Sequence, residues 1–354
     1  MKKILHILTF IILLILGLKI FNYILKDDYG QYTRITMHEL YNQDKNIDVL
    51  FVGSSHVYRT FVPKITDKEF KCNTFNLGTS GQDMLGSYTL IKETLKKNKV
   101  KKIYLDIYYA IALMKPYKQR NEFTDVYIIS DYMKLSINKI NYLINSTPNE
   151  YYINDFVPSR RYWNNIYNFK YIMNNINKKK SSYYKNYEWD KKIYNDEFYV
   201  EKGFVASNLV YDAENYFNIP KTTININDIN PDWIKYLNKI IKLCKKKNIS
   251  LSLITVPLPI NSIMSIDNYE DFNKYINKIS KKNKIEYIDF NLINENYFNT
   301  SDFSLFKDED HLNYKGAKAF TKVFTRYINN HISKEELFYD NLEDKLNNVD
   351  ISIR

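Results

Sequence analysis

The stretch from residue 47 to 59, IDVLFVGSSHVYR, constrains the fold more than any other part of the chain. Ile47 and the unbroken apolar run 49–52 carry the signature of a strand buried on both faces, which is the habit of parallel sheets covered by helices. The run stops at Gly53-Ser54-Ser55-His56, where the chain turns polar. A small residue closing a parallel strand, followed by a hydroxyl, is how α/β sheets present a reactive side chain at their carboxyl edge.

A serine hydroxyl needs a base to take its proton, and the base needs a partner to hold its tautomer. The far end of the chain supplies both in Asp308-Glu309-Asp310-His311-Leu312-Asn313, after which Tyr314-Lys315-Gly316 opens a helix. Ser55, His311 and Asp308 are therefore the candidate nucleophile, base and orienter. Asp310 is the rival orienter, less well placed because it adjoins His311. Of the other histidines, His6, His38 and His331 lack a carboxylate at a suggestive spacing. His56 follows Ser55 directly, so its side chain should point away from the serine and line the pocket.

With both blocks in view, the chain resembles the SGNH/GDSL hydrolases. In that superfamily the serine is third in a Gly-Asp-Ser-Leu-like block, and an Asp-x-x-His block lies near the C-terminus. Here Ser54 replaces the aspartate. The stretch Asn76-Leu77-Gly78-Thr79-Ser80-Gly81-Gln82-Asp83 is similar to the second block. The resemblance implies an oxyanion hole formed by the backbone N–H groups of Ser55 and Gly81, with Gly78 as the alternative. It also implies a three-layer α/β/α sandwich with about five parallel strands. One block departs from the family: Asp106-Ile107-Tyr108-Tyr109-Ala110 has no asparagine where the third block would place an oxyanion donor. A divergent envelope branch fits this departure. It includes surface-polysaccharide acyltransferases and the accessory protein of teichoic-acid D-alanylation, which carry an N-terminal membrane anchor.

Residues 4–25 form an almost unbroken apolar run behind Lys2 and Lys3. As a helix this run would be roughly 33 Å long, about the thickness of a bilayer core. Lys19 lies near its far end, where a long side chain can snorkel. A cleaved signal peptide is the rival reading, but no small-x-small cleavage site follows. Residues 1–26 therefore read as a transmembrane signal anchor, with a cytoplasmic N-terminus and an extracytoplasmic C-terminal domain. Residues 27–46 read as a short helix or linker, 47–332 as the SGNH-like domain and 333–354 as a tail that packs back or binds a partner.

Repeated strand and helix patterns place strands at 72–77, 103–107, 249–256 and 285–290. Helices are expected at 84–98, 233–247 (capped by Asn230 or Asp232), 272–280 and 314–332. The pattern vanishes over 111–229, a segment rich in Tyr, Asn and Lys and too long for a crossover, which reads as an inserted helical cap. It should hold helices at 132–144 and 161–175 and a mobile loop from Lys178 to Tyr184.

The formal net charge of +11 is spread thinly along the chain, and no nucleic-acid recognition signature accompanies it. A basic surface facing an anionic envelope polymer or a membrane suits it better. Cys72 and Cys244, the only cysteines, read as free or buried thiols. No spacing fits a zinc or iron–sulfur site, so neither metal nor cofactor is expected. The expected function is transfer or removal of acyl groups, acetyl foremost, on a cell-surface glycan. A membrane-bound O-acyltransferase partner would supply the acyl group, because acyl-coenzyme A is not available outside the membrane. A glycan-binding or scaffold protein with a weak site is the alternative.

Overall fold

The structure, a computed structural model, describes residues 2–190, 196–212 and 219–349. Met1 of the expected anchor, two short pieces of the 111–229 insertion and the last five residues of the tail lie outside the described residues.

Helix α1 (Lys2–Leu25) precedes α2 (Tyr32–Tyr41), and the sheet begins with β1 (Val49–Gly53). There follow α3 (Ser55–Thr60), α4 (Pro63–Phe70), β2 (Thr74–Gly78), α5 (Met84–Thr94) and β3 (Lys102–Asp106). The insertion then contributes α6 (Ile137–Ser146), α7 (Phe169–Lys180) and the hairpin β4 (Glu197–Glu201) and β5 (Phe204–Ser207). The sheet resumes with α8 (Pro231–Lys247), β6 (Ser250–Thr255), α9 (Tyr269–Asn283), β7 (Glu286–Asp289) and α10 (Tyr314–Ile328). The five sheet strands are all parallel, in the order β2-β1-β3-β6-β7. The fold is thus α/β, with the strand order reversing on either side of β1.

Each strand forms for the reason its sequence suggests. All five residues of β1 are buried, as are all five of β2, because helices cover both faces. On one face α5 packs against α8, whose Trp233, Leu237, Ile240, Ile241 and Cys244 are all buried. On the other, α10 lies over α3 and α4 and sends Phe324 into an aromatic cluster. Its ring centroid stands 5.0 Å from Phe61, 5.1 Å from Tyr104 and 5.8 Å from Phe51. Fully burying one such ring is worth about 1.5–3 kcal/mol.

Of the short helix or linker expected at 27–46, the helix forms: α2 buries Ile35, Met37 and Leu40 against the domain. The insertion forms a run of short helices between 117 and 185 and also contains the β4–β5 hairpin, which had no clear alternation in sequence. Three expectations within it need correction. The helix expected at 161–175 is the 3-10 stretch Pro158–Asn165 followed, after a break, by α7 from Phe169, which the Asn168 side chain caps by accepting from the Tyr171 N–H. The helix expected at 132–144 is α6, which starts only at Ile137 because the Ser136 hydroxyl accepts from the Lys139 N–H at 3.3 Å and caps it. Lys178, Lys179 and Lys180 do not form a mobile loop but the last turn of α7, with Lys179 buried. The tail packs back on the domain. Residues Ile293 and Phe338 form an antiparallel bridge, and the buried Lys345 ammonium donates to the Asn291 carbonyl at 3.0 Å and pairs with Glu295 at 3.0 Å.

Candidate active site

Ser55 stands at the first position of α3, directly beyond the carboxyl end of β1. The turn before it requires Gly53 because the chain passes too close to β3 for a side chain. A Cβ on Gly53 would lie 2.3 Å from the Cβ of Asp106. Ser54 caps α3: its hydroxyl accepts from the His56 N–H at 3.3 Å and donates to a carboxylate oxygen of Asp106 at 3.0 Å. The serine turn is therefore braced from below by the last residue of β3. Asp106 is buried, and burial pushes its pKa up to about 7 despite the Ser54 hydrogen bonds.

The second half of the site comes from the loop before α10. The Lys307 N–H donates to the His311 carbonyl at 2.8 Å, and Phe306 bridges Leu312, so residues 306–312 form a closed loop. Asn313 fixes its base. The side-chain amide donates to the carbonyls of Ser304 at 2.8 Å and Phe306 at 3.0 Å, while its oxygen caps α10 by accepting from Gly316 N–H at 3.0 Å. A hydrogen bond from Thr321 to the Thr60 carbonyl at 2.9 Å ties α10 to the end of α3. The two catalytic candidates thus ride on helices joined to each other.

The loop brings the three sequence-nominated side chains together. His311 Nε2 lies 2.7 Å from Ser55 Oγ, and His311 Nδ1 lies 2.7 Å from Asp308 Oδ1. The same Asp308 oxygen accepts from the backbone N–H of Asp310 at 3.0 Å and of His311 at 2.9 Å. Burial alone would raise the Asp308 pKa. The bond and charge of His311, the Asp310 N–H and the Lys307 ammonium at 3.4 Å outweigh it and hold the carboxyl well below its ordinary range. An anionic Asp308 on Nδ1 selects the tautomer that leaves Nε2 free to accept the serine proton. Ser55, Asp308 and His311 each remain partly open to solvent, so a substrate can reach them.

Asp310 is not the orienter: its carboxylate accepts from the Tyr108 hydroxyl at 2.7 Å. Tyr108 lies just after β3, in the stretch 106–110 that contains no asparagine. Its ring lies 4.0 Å from that of His56, which in turn meets His311 edge-on at 5.5 Å. Both ring nitrogens of the buried His56 are without a hydrogen-bond partner. Burial, then the neighbouring His311 charge, drives its pKa well below the usual imidazole value, so it is neutral. Gly81 lies on the loop after β2 with φ of +64°, a conformation that suits glycine. Gly78 is held in the β2 ladder, and a Cβ on it would come 2.7 Å from the Ser54 carbonyl oxygen. The Ser55 N–H, at a helix start, has no acceptor in its own helix.

Sequence reading missed Asp106, Tyr108, Lys307 and Glu197 of the hairpin, which pairs with Arg59 at 3.0 Å and with Lys307. Only the polar residue ending an apolar strand, Asp106, gave a local signal.

The serine after the first strand of a parallel sheet and the Asp-x-x-His loop before α10 stand where the sequence resemblance to the SGNH/GDSL hydrolases expects them. A family model matches residues 220–333. Comparison with curated protein sequences returns no match. Among solved structures, a protein of Bacteroides fragilis described as an acylhydrolase is 11% identical, with 83% of this chain and 94% of that one covered at a TM-score of 0.37. A GDSL-like lipase from Bacteroides thetaiotaomicron is 10% identical, with 86% and 100% covered at a TM-score of 0.36. A G-D-S-L family lipolytic protein from Desulfitobacterium hafniense is 9% identical, with 79% and 99% covered at a TM-score of 0.37.

Proposed function

We propose that this protein is a membrane-anchored serine esterase or O-acyltransferase acting on O-acyl groups, acetyl foremost, of an extracytoplasmic polysaccharide. The observation that carries the reading is the unbroken Ser55–His311–Asp308 relay, with both of its hydrogen bonds at 2.7 Å. Ser55 Oγ attacks the acyl carbonyl as His311 Nε2 takes its proton, and Asp308 stabilises the resulting imidazolium. The N–H groups of Ser55 and Gly81, or Gly78 in its place, receive the oxyanion. Collapse expels the leaving alcohol with the proton from His311, leaving an acyl-serine. Water or a sugar hydroxyl, deprotonated by His311, then takes the acyl group and frees the serine.

Lys2–Leu25 is long and apolar enough to cross a membrane. Retained as an anchor, it would hold the domain outside the cell, where an acyl group must come from a membrane-bound O-acyltransferase partner. Incubation with p-nitrophenyl acetate and a serine-directed fluorophosphonate tests the chemistry. Labelling and turnover that vanish in both Ser55→Ala and His311→Ala support it. Wild-type surface-glycan acylation in a Ser55→Ala strain would sink the assignment.

One observation favours a second reading, a glycan-binding or scaffold protein with a weak site. Tyr108, engaged with Asp310, stands where an oxyanion-donating asparagine is absent. Such a missing donor costs about 2.7–4 kcal/mol of transition-state stabilisation. A folded wild type that takes no fluorophosphonate supports this alternative.

A further inference from the structure

The insertion presents, beside the last turns of α1, a group of aromatic side chains exposed among the described residues. Phe156, Trp163, Tyr167 and Phe169 are 55%, 50%, 96% and 74% exposed. They lie on and around the 3-10 stretch Pro158–Asn165 and the start of α7, the elements that pack along α1. That packing is specific. The Ser159 N–H donates to the Asn22 side chain at 2.7 Å, the Tyr171 hydroxyl to the Leu25 carbonyl at 2.8 Å, and the Asn175 amide to the Ile24 carbonyl at 2.9 Å. Lys179 donates to the Tyr23 carbonyl at 2.8 Å. These side chains satisfy carbonyls that a helix end leaves open, and they lock the collar to the helix.

The level of the collar along α1 follows from its coverage. Residues 2–16 are exposed, partial cover first appears at Gly17 and Leu18, and it continues at Asn22, Ile24 and the buried Leu25. Leu18 to Leu25 is roughly 10 Å of helix axis, and a hydrocarbon core is about 30 Å thick. A helix of 24 residues is therefore long enough to carry its last turns into the headgroup layer. The collar's composition fits that layer, where aromatic rings and snorkelling cations concentrate. Exposed Arg160 and Lys170 flank the rings, and the Arg160 guanidinium sits 5.6 Å over the Trp163 ring.

We propose that residues 153–173 lie in the bilayer headgroup layer on the side of the α/β domain, making the attachment two-point: a spanning helix and an aromatic apron clamped to it. The domain is then held at one orientation to the membrane rather than swinging on a tether. The proposal rests on retention of α1 as an anchor.

The test uses the full chain reconstituted in phosphatidylcholine–phosphatidylglycerol vesicles, with and without acyl-brominated lipid. Flotation reports the anchor, and tryptophan quenching reports the apron. The expected result is that vesicles carry the protein, brominated lipid quenches its fluorescence, and Trp163→Phe loses that quenched component. A chain that floats but whose Trp163 signal is indifferent to brominated lipid overturns the apron alone. If Trp163 is also shielded from aqueous acrylamide in that experiment, a protein partner covers the face instead. A chain that does not float overturns the anchor and the apron together.

Discussion

The serine corner and the anchor collar are built by opposite strategies. At the corner, short loops bond mainly to their own backbone: Asp308 takes the N–H groups of Asp310 and His311, and Ser54 takes that of His56. At the collar, long side chains from residues 171–179 reach across to backbone carbonyls more than a hundred residues earlier. The first kind of geometry survives as a spacing in sequence; the second does not. The corner is also preorganised for charge, with an anionic Asp308 and a buried Asp106 whose pKa is raised to about 7.

The largest expected effect is at the corner alone. Ser55→Ala or His311→Ala should lower kcat for an activated ester by about 10⁴–10⁶ while the thermal midpoint of the protein barely moves. Retained turnover in either variant would remove the corner's distinction. Asp308→Asn should cost about 10⁴ in kcat, because the amide no longer selects the tautomer with a free Nε2. A kcat close to wild type would transfer the orienting role elsewhere.

Next comes the collar. Lys179→Met leaves the Tyr23 carbonyl without this donor, a change worth about 1–3 kcal/mol per buried group left unpaired. Chemical denaturation in detergent should show that loss, with kcat per folded molecule unchanged. A fall in kcat instead would mean that the two regions are coupled.

The smallest effect separates the two carboxylates by pH. Asp106 is raised to about 7 by burial, so its contribution to stability is complete below the unfolded value near 4 and is lost as pH climbs to about 7. Asp308 is held low, so its contribution is present above about 4 and is lost only as pH falls further. Urea midpoints across pH should therefore fall less steeply from 5 to 8 in Asp106→Asn, and Asp308→Asn should flatten the acid limb. Asp83, also raised by burial to about 6, leaves a residual slope in the first variant.

The sequence by itself determined the parallel sheet and nominated the serine, histidine and aspartate that the fold brings together. Strands buried on both faces must be continuously apolar, and a residue three before a histidine can both accept its backbone N–H and reach its ring. It also offered Asn230 or Asp232 as the cap of α8, and the Asp232 N–H donating to the Asn230 side chain at 2.8 Å decides for Asn230. Only the tertiary structure decided where the Tyr- and Lys-rich insertion goes. A lysine run such as 178–180 reads as a solvated loop until a helix end supplies carbonyls for it to cap. Nor does an aspartate closing a strand announce that a hydroxyl 52 positions earlier will hold it. Contacts of this kind depend on surfaces that exist only once the chain has folded, so no local pattern of residues records them.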